Sequence, residues 1–173
     1  MDMNSAKTRF ASVYESHVDS LFRFCLWKSG DREMTKDLVQ ESFMRFWDEL
    51  STGKNIENDR ALLFTIARRL VIDHYRKKKS LSLDSMIDGE EFEHEPVDRS
   101  TLDGEAGAAG RYALDSIKKL EPAAQQAIYL RFVEELNPKE IAQILEISPN
   151  AASVRIDRGL KKLKEILDPK THE

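Results

Sequence analysis

Two helix-start signals, eleven residues apart, set the tightest limit on how this chain can fold. Asn137-Pro138 and Ser148-Pro149 each place a capping side chain before a proline. Proline suits the first turn of a helix because its missing N–H has no intrahelical partner there. Glu140, three residues after Asn137, completes a capping-box pattern. The spacing therefore predicts one short helix, a tight turn and a second helix that starts at Pro149.

The second of these helices has an apolar face and a basic face. Its apolar residues recur at spacings of four, four and three, which predicts an inward stripe of Ala152, Ile156, Leu160 and Leu163. The other face holds Asn150, Ala151, Ser153, Val154, Arg155, Arg158, Lys161 and Lys162. Small residues allow close approach to a DNA groove, Asn and Arg can reach base edges, and later cations neutralise phosphates. The pattern favours DNA binding, with a purely structural helix pair as the alternative.

The uneven charge along the chain indicates two blocks separated by a linker. Residues 1–79 carry 15 Lys and Arg against 12 Asp and Glu, whereas residues 80–110 carry 1 against 9 and residues 111–173 carry 11 against 10. The acidic stretch also holds four of the seven glycines and shows no sustained helical period. We therefore predict an all-α fold with helical domains at 1–79 and 108–173, joined by an acidic flexible linker at 80–107.

A polar face and an aromatic face alternate along the stretch that follows Thr35, the predicted N-cap, and ends at Gly53. The predicted buried residues are Val39, Phe43, Phe46, Trp47 and Leu50. The predicted exposed polar residues include Asp37, Gln40, Glu41 and Arg45. Periodicity alone does not distinguish this polar face from an ordinary solvated one. A preceding helix is predicted from an apolar stripe of Phe10, Val13, Tyr14, Leu21 and Cys25.

A third helix, capped by Asn58 or Asp59, has a basic far side and a basic end. The basic residues are Arg68, Arg69, Arg76 and the run from Lys77 to Lys79. Cations near a helix C-terminus are favourable on dipole grounds alone, so a solvated cap is the competing interpretation.

Several classes of protein are disfavoured by what the sequence contains. The four histidines show no metal-ligand spacing, and there is no phosphate loop or nucleophile motif, so we expect no enzyme and no cofactor. The single cysteine, Cys25, lies among apolar residues and is predicted to be a buried small hydrophobe. No uncharged run approaches the length of a membrane span, so we expect a cytoplasmic protein without membrane insertion.

Three segments, in this order, resemble the extracytoplasmic-function (ECF) group of bacterial RNA polymerase sigma factors. "DLVQESFMRFW" is similar to the family pattern D-L-x-Q-E-x-F-x-x-x-W of its second conserved region. "LLFTIARRLVIDHYRKKK" resembles the helix that follows it, and "NPKEIAQILEIS" with "VRIDRGLKKLKE" resembles the family's carboxy-terminal helix-turn-helix. The resemblance covers residues 9–79 and 108–167.

The resemblance implies a sigma factor that binds core RNA polymerase, recognises the −35 and −10 promoter elements, and directs promoter opening without ATP. It implies docking on the β′ clamp helices through Asp37, Gln40, Glu41 and Arg45, and a further contact with the β flap. The implied −10 contacts are Lys54, Asn55, Asn58, Arg68, Arg69, Arg76 and Lys77. The implied −35 contacts are Asn150, Ser153, Arg155, Arg158 and Lys162. An anti-sigma factor is a further expected partner, and the linker is expected either to thread the polymerase cleft or to act as a plain tether.

Departures from the family pattern and competing functions leave specific points open. Glu146 stands where a glycine is common in the turn, so either Glu146 has a positive φ at some energetic cost or the turn differs from that of the family. Arg69 stands where Asn is frequent, which puts base choice at −10 in doubt. The main alternative function is a stand-alone helix-turn-helix transcriptional regulator that uses its first block for sensing or dimerisation. A helical adaptor is a weaker alternative because it gives the basic helix no role.

Overall fold

A computed structural model describes residues 3–81 and 107–167, and every regular element within these two ranges is an α-helix. The helices are α1 Met3–Ser29, α2 Arg32–Ser51, α3 Asp59–Leu81, α4 Ala108–Ile117, α5 Pro122–Phe132, α6 Pro138–Leu145 and α7 Pro149–Leu167. They divide between two compact units, the first with α1–α3 and the second with α4–α7. The all-α prediction is confirmed. The predicted linker 80–107 lies, apart from its ends, outside the described residues.

The start of α2 differs from the prediction. The helix begins at Arg32 because Asp31 is its N-cap, with an extended backbone and a side chain that accepts a 2.9 Å hydrogen bond from the Met34 N–H. Thr35, the predicted cap, lies one turn inside the helix and is buried. Its Oγ1 donates to the Asp31 carbonyl at 2.6 Å and lies 2.8 Å from the Ser29 hydroxyl. Thr35 therefore does not start the helix; its hydroxyl connects α2 to Ser29 at the end of α1.

The first unit has an aromatic core. Its largest fully buried side chains are Leu21, Phe24, Trp27, Phe46, Leu50, Leu63 and Phe64. The Phe24 ring of α1 lies 5.3 Å from the Phe64 ring of α3, so aromatic contacts join the two helices. Cys25 is fully buried, as predicted, and burial raises the pKa of its thiol to about 12. Tyr14, predicted on the inward stripe, is 44% exposed.

The second unit consists of three short helices and one longer helix, which enclose an aliphatic core. Its largest fully buried side chains are Ile128, Leu130, Leu136, Ile141 and Ile144. Helix α4 ends at Ile117, and the chain then turns toward Pro122. The amide of Gln125 donates to the carbonyls of Lys118 and Leu120, at 3.0 and 2.7 Å. These bonds satisfy two carbonyl groups in the turn between α4 and α5.

The predicted helix-turn-helix is confirmed in its details. Asn137 accepts from the N–H groups of Lys139 and Glu140, and the Glu140 carboxylate accepts from the Asn137 N–H at 2.9 Å. Glu146 ends α6 in the left-handed region with φ 57° and ψ 42°, which is the first of the two outcomes that the sequence left open. Ser148 then caps α7 by accepting from the Ala151 N–H at 3.1 Å.

Helix α7 approaches α5 most closely at Gly159, which is buried. A Cβ added at Gly159 would lie 2.7 Å from Ile128 Cγ1 and 3.1 Å from Ile128 Cδ1. Because Ile128 is fully buried, glycine is the residue that permits this spacing between the helices. The sequence analysis did not identify this role for Gly159.

Candidate functional site

The polar stripe of α2, defined as Asp37, Gln40, Glu41 and Arg45, lies on the outer surface of the first unit. Three of the four side chains are exposed and Glu41 is half-buried. Arg45 Nε donates to Glu41 Oε1 at 2.7 Å, one helical turn away, so the two charges are paired with each other. The stripe therefore presents a carboxylate, an amide and a neutralised ion pair to solvent.

An apolar groove of about 520 Å³ adjoins this stripe between α1 and α2. Its lining includes Phe10, Tyr14, Phe43, Met44 and Trp47, with Lys36, Gln40 and Asp48 among the polar residues around them. The rings are in mutual contact, with the Tyr14 and Phe43 centroids 4.8 Å apart and those of Phe10 and Trp47 5.5 Å apart. Met44 is 56% exposed. Gln40 belongs to both features, so the groove and the stripe form one continuous surface.

The sequence analysis missed this groove because the periodicity of α2 assigned its aromatic residues to the core. Met44 could have indicated the groove from the sequence, since this apolar residue lies one turn after Gln40 on the polar side of the helix. A contiguous exposed apolar patch indicates an interaction surface, and Met44 adjoins the aromatic residues of the groove.

The loop between α2 and α3, residues 52–58, holds three of the residues predicted to contact the −10 element. Lys54 and Asn55 are exposed, and Lys54 Nζ lies 2.6 Å from Glu49 Oε2. Asn58 is half-buried, and its Oδ1 accepts from the Ala61 N–H at 2.9 Å. Asn58 therefore caps α3, as the sequence predicted, while Lys54 and Asn55 lie at the exposed part of the loop.

Arg9 of α1 holds the far end of this loop. Its Nη2 donates to the Ile56 carbonyl at 2.7 Å and to Asp59 Oδ1 at 2.7 Å, and its Nε donates to Asp59 Oδ2 at 2.8 Å. The two-pronged contact with the Asp59 carboxylate raises the pKa of Arg9 above its ordinary value. Sequence reasoning could not find this contact, because it joins residues that are 50 positions apart.

The basic residues of α3 differ in exposure. Arg69, Arg76 and Lys77 are exposed, whereas Arg68 is half-buried. Lys28 of α1 is buried, and its Nζ lies 5.1 Å from the centre of the Trp27 ring. Burial, and to a smaller extent the positive charge of Arg68, lowers the pKa of Lys28 to about 7. The burial of this lysine was not predicted.

The predicted −35 residues occupy the outer and lateral surfaces of α7. Asn150, Arg158 and Lys162 are exposed, and Ser153 and Arg155 are half-buried. The Ser153 hydroxyl donates to the Pro149 carbonyl at 3.1 Å, and Lys162 Nζ lies 3.0 Å from Glu165 Oε2. The opposite face, with Ala152, Ile156 and Gly159, packs inward. Helix α7 thus keeps its cations outside the core.

The described residues contain no group of three His, Cys, Asp or Glu side chains that could hold a metal ion. Among the helices in residues 3–81 and 107–167, none is long and apolar enough to cross a membrane.

Family comparisons match both units separately. The Sigma-70 region 2 family matches residues 13–81, and the Sigma-70, region 4 family matches residues 111–163. The two matches together include the α2 stripe, the 52–58 loop, α3 and the helix-turn-helix. A stand-alone helix-turn-helix regulator is not favoured, because its first block would not be expected to match region 2.

Three relatives extend this similarity along most of the chain. The chain is 29% identical over 91% of its length to the ECF RNA polymerase sigma factor BldN of Streptomyces coelicolor, and it spans 60% of that protein. It is 23% identical to SigX and 27% identical to SigW, two ECF sigma factors of Bacillus subtilis. Those two alignments cover 92% and 91% of this chain, and 84% and 88% of the relatives.

Solved structures show the same fold. The sigma factor RpoE, in complex with the anti-sigma factor NepR from Bartonella quintana, matches with a TM-score of 0.69 at 20% identity, over 95% of this chain and 99% of that chain. CnrH, in complex with the cytosolic domain of CnrY, matches with a TM-score of 0.65 at 21% identity, over 94% and 89% of the two chains. The chain belongs to the ECF group of RNA polymerase sigma factors, which direct transcription initiation and are not enzymes.

Proposed function

We propose that the first unit docks on the β′ clamp helices of core RNA polymerase through the α2 polar stripe. The observation that carries this proposal is the continuous surface formed by the stripe and the apolar groove, joined at Gln40. Polar and charged groups orient a partner and set the rate of encounter, whereas buried apolar area supplies most of the affinity. The surface offers both kinds of group side by side.

The loop and α3 are proposed to contact the −10 element. Lys54 and Asn55 lie on the exposed loop, and Arg69, Arg76 and Lys77 lie along α3 as exposed cations that suit a phosphate backbone. Extruding a base from the duplex costs a few kcal/mol, which contacts with the displaced strand can offset without ATP. Asn58 is expected to act through its cap on α3, and Arg68 is expected to contact the strand from its half-buried position.

The second unit is proposed to read the −35 element through α7. The capped N-terminus of α7 and its exposed Asn150 and Arg158 suit a recognition helix in the major groove. Arg155 and Lys162, toward the sides of the helix, are positioned for the flanking phosphates, and Ser153 for a base edge or a phosphate. We also propose the β flap as a contact of this unit within the polymerase.

An anti-sigma factor is the further partner that we propose. Its support is that both solved relatives with the same fold, RpoE and CnrH, are in complex with another protein, NepR and the cytosolic domain of CnrY. The α2 groove is a suitable surface for such a partner, because its exposed apolar residues are unfavourable in water when no protein covers them.

Run-off transcription tests the proposed function directly. Purified chain is added to core polymerase over a library of promoter fragments from the organism that encodes it. We expect start-site-specific transcripts from a subset of the fragments and none from core alone. The absence of any specific transcript, with a chain shown to be folded by circular dichroism, would contradict the proposal.

An ion-pair swap tests the docking surface without removing an interaction from the fold. The double change Glu41→Arg with Arg45→Glu keeps a one-turn ion pair and reverses the charges that a partner meets. We expect at least a roughly tenfold weaker capture of core polymerase, since like charges brought together at an interface cost several kcal/mol. The matched control is Asp115→Lys with Lys118→Asp, which swaps a one-turn pair on α4. Equal capture by both variants would show that the docking surface lies elsewhere.

A further inference from the structure

Val154 is an apolar residue at the centre of the outward face of α7. Its side chain is 37% exposed. Successive residues of a helix are rotated by roughly 100°, so Val154 lies on the side opposite the buried Ala152. The stripe that faces away from the core therefore runs through Asn150, Val154 and Arg158, each one turn from the next.

The neighbours of Val154 on this stripe are able to read bases. Asn150, one turn earlier, and Arg158, one turn later, are exposed and carry the hydrogen-bonding groups that pair with adenine and guanine edges. Ala151, beside them, is small enough to allow the helix to approach closely. Ser153 and Arg155 lie about 100° to either side of Val154 and are half-buried.

Valine has no structural advantage at this position. A β-branched side chain restricts its own rotamers in a helix, and one that is 37% exposed gains less from burial than a core valine does. A polar residue would serve as well for solubility and for helix formation. In a major groove, by contrast, the apolar contact that identifies a base is the one with the 5-methyl group of thymine.

We infer that Val154 contacts the 5-methyl group of a thymine in the −35 element and so helps to determine promoter specificity. This inference rests on the proposed function of α7. It adds Val154 to the residues predicted from the sequence and places it between the two hydrogen-bonding readers, Asn150 and Arg158. Those two residues then set the bases on either side of the thymine.

Replacing thymine by uracil removes only the methyl group and gives a direct test. The −35 sequence is first obtained by selecting promoter fragments that the holoenzyme transcribes, and each thymine on either strand is then replaced in turn. We expect one replacement to weaken holoenzyme binding by about three- to fivefold, the value of one buried methyl group. With Val154→Ala, the same replacement should have almost no effect.

The outcomes separate this inference from the function on which it rests. Leu167→Ala is the matched control, because Leu167 is 39% exposed on the same helix but lies at its far end; its sensitivity to uracil should equal that of the unaltered chain. If transcription depends on the −35 element but no uracil has an effect, or if Val154→Ala keeps the full effect, the inference is wrong while the proposed function stands. A selected element without thymine would also refute the inference, and transcription that ignores the −35 element would refute both.

Discussion

The two units reach the same left-handed backbone conformation with different residues. In the first unit, the positive-φ positions that the structure describes are Gly30 at 68° and Gly53 at 72°; in the second, they are Glu135 at 54° and Glu146 at 57°. Glycine adopts this conformation freely, whereas a residue with a Cβ is strained by about 1–2 kcal/mol. The second unit therefore contains turn strain that the first unit avoids.

The cores of the two units also differ, in the type of side chain that fills them. Phenylalanine and tryptophan dominate the largest buried side chains of the first unit, and isoleucine and leucine those of the second. Aromatic side chains bury more area each and gain further from ring contacts. The comparison leads us to expect the first unit to be the more stable of the two.

The largest expected effect comes from opening the aromatic core. Phe46 is fully buried, so Phe46→Ala should destabilise the first unit by about 3–5 kcal/mol. Both tryptophans, Trp27 and Trp47, lie in this unit, so their fluorescence reports its unfolding alone. We expect the urea concentration at which half of the first unit is unfolded, measured by tryptophan fluorescence, to fall sharply. Ile144→Ala, in the second unit, should instead lower the urea midpoint of that unit, which circular dichroism detects, and leave the fluorescence midpoint unchanged. A lower fluorescence midpoint in Ile144→Ala would show that the two units do not unfold separately.

Overpacking tests the close helix contact of the second unit. Gly159→Ala places a Cβ within 2.7 Å of the buried Ile128, so we expect a loss of about 3 kcal/mol, near the upper end for added core methyl groups. Thermal unfolding followed by circular dichroism measures the effect. Gly107→Ala is the control, because a Cβ there meets nothing within 4 Å. Similar melting of the two variants would contradict the packing argument.

Lys28 is a lysine buried in the core of the first unit, and it makes the free energy of unfolding depend on pH. Its pKa is about 7 in the folded unit against 10.5 for an exposed lysine, so the unfolded chain binds more protons between these values. The contribution of Lys28 to the free energy of unfolding is therefore most favourable above about pH 10.5. It becomes less favourable as the pH falls from 10.5 to about 7. We expect stability measured by tryptophan fluorescence to fall by about 2 kcal/mol from pH 9 to pH 7. Lys28→Met should flatten this dependence, and an unchanged slope in that variant would assign it to other groups.

The smallest expected effect is the relief of turn strain. Glu146→Gly should stabilise the second unit by about 1 kcal/mol, because glycine adopts the left-handed conformation without a Cβ clash. The opposite change in the first unit, Gly53→Ala, should cost about as much. A Glu146→Gly variant that melts at the same temperature or lower would mean that the Glu146 side chain contributes more than its backbone strain costs.

Local signals were sufficient to predict most of the fold. Capping residues and apolar spacing predicted the helix-turn-helix and the Asn137 capping box, because each depends on neighbours within four residues. The left-handed Glu146 was one of two outcomes expected from the glycine that is common there in the family. Thr35 was misjudged because Asp31, an equally good cap, stood one turn earlier and Thr35 had a tertiary partner in Ser29.

The features that sequence could not predict depend on contacts between distant segments. The Arg9 contact with Asp59, the Gly159 contact with Ile128 and the burial of Lys28 each need a neighbour from another helix. The α2 groove is similar, since it exists only where α1 and α2 meet. The site residues proposed from the family resemblance remain predictions until polymerase and promoter binding are measured.

The hydrogen bonds from Arg9 to Ile56 and Asp59 affect the loop that is proposed to contact the −10 element. A short loop that is already fixed at its end loses less conformational entropy on meeting a ligand than a freely moving loop does. Much of the ordering required to present Lys54 and Asn55 thus takes place when the first unit folds. The first helix, which carries none of the proposed DNA contacts, thereby restricts the motion of the loop that carries two of them.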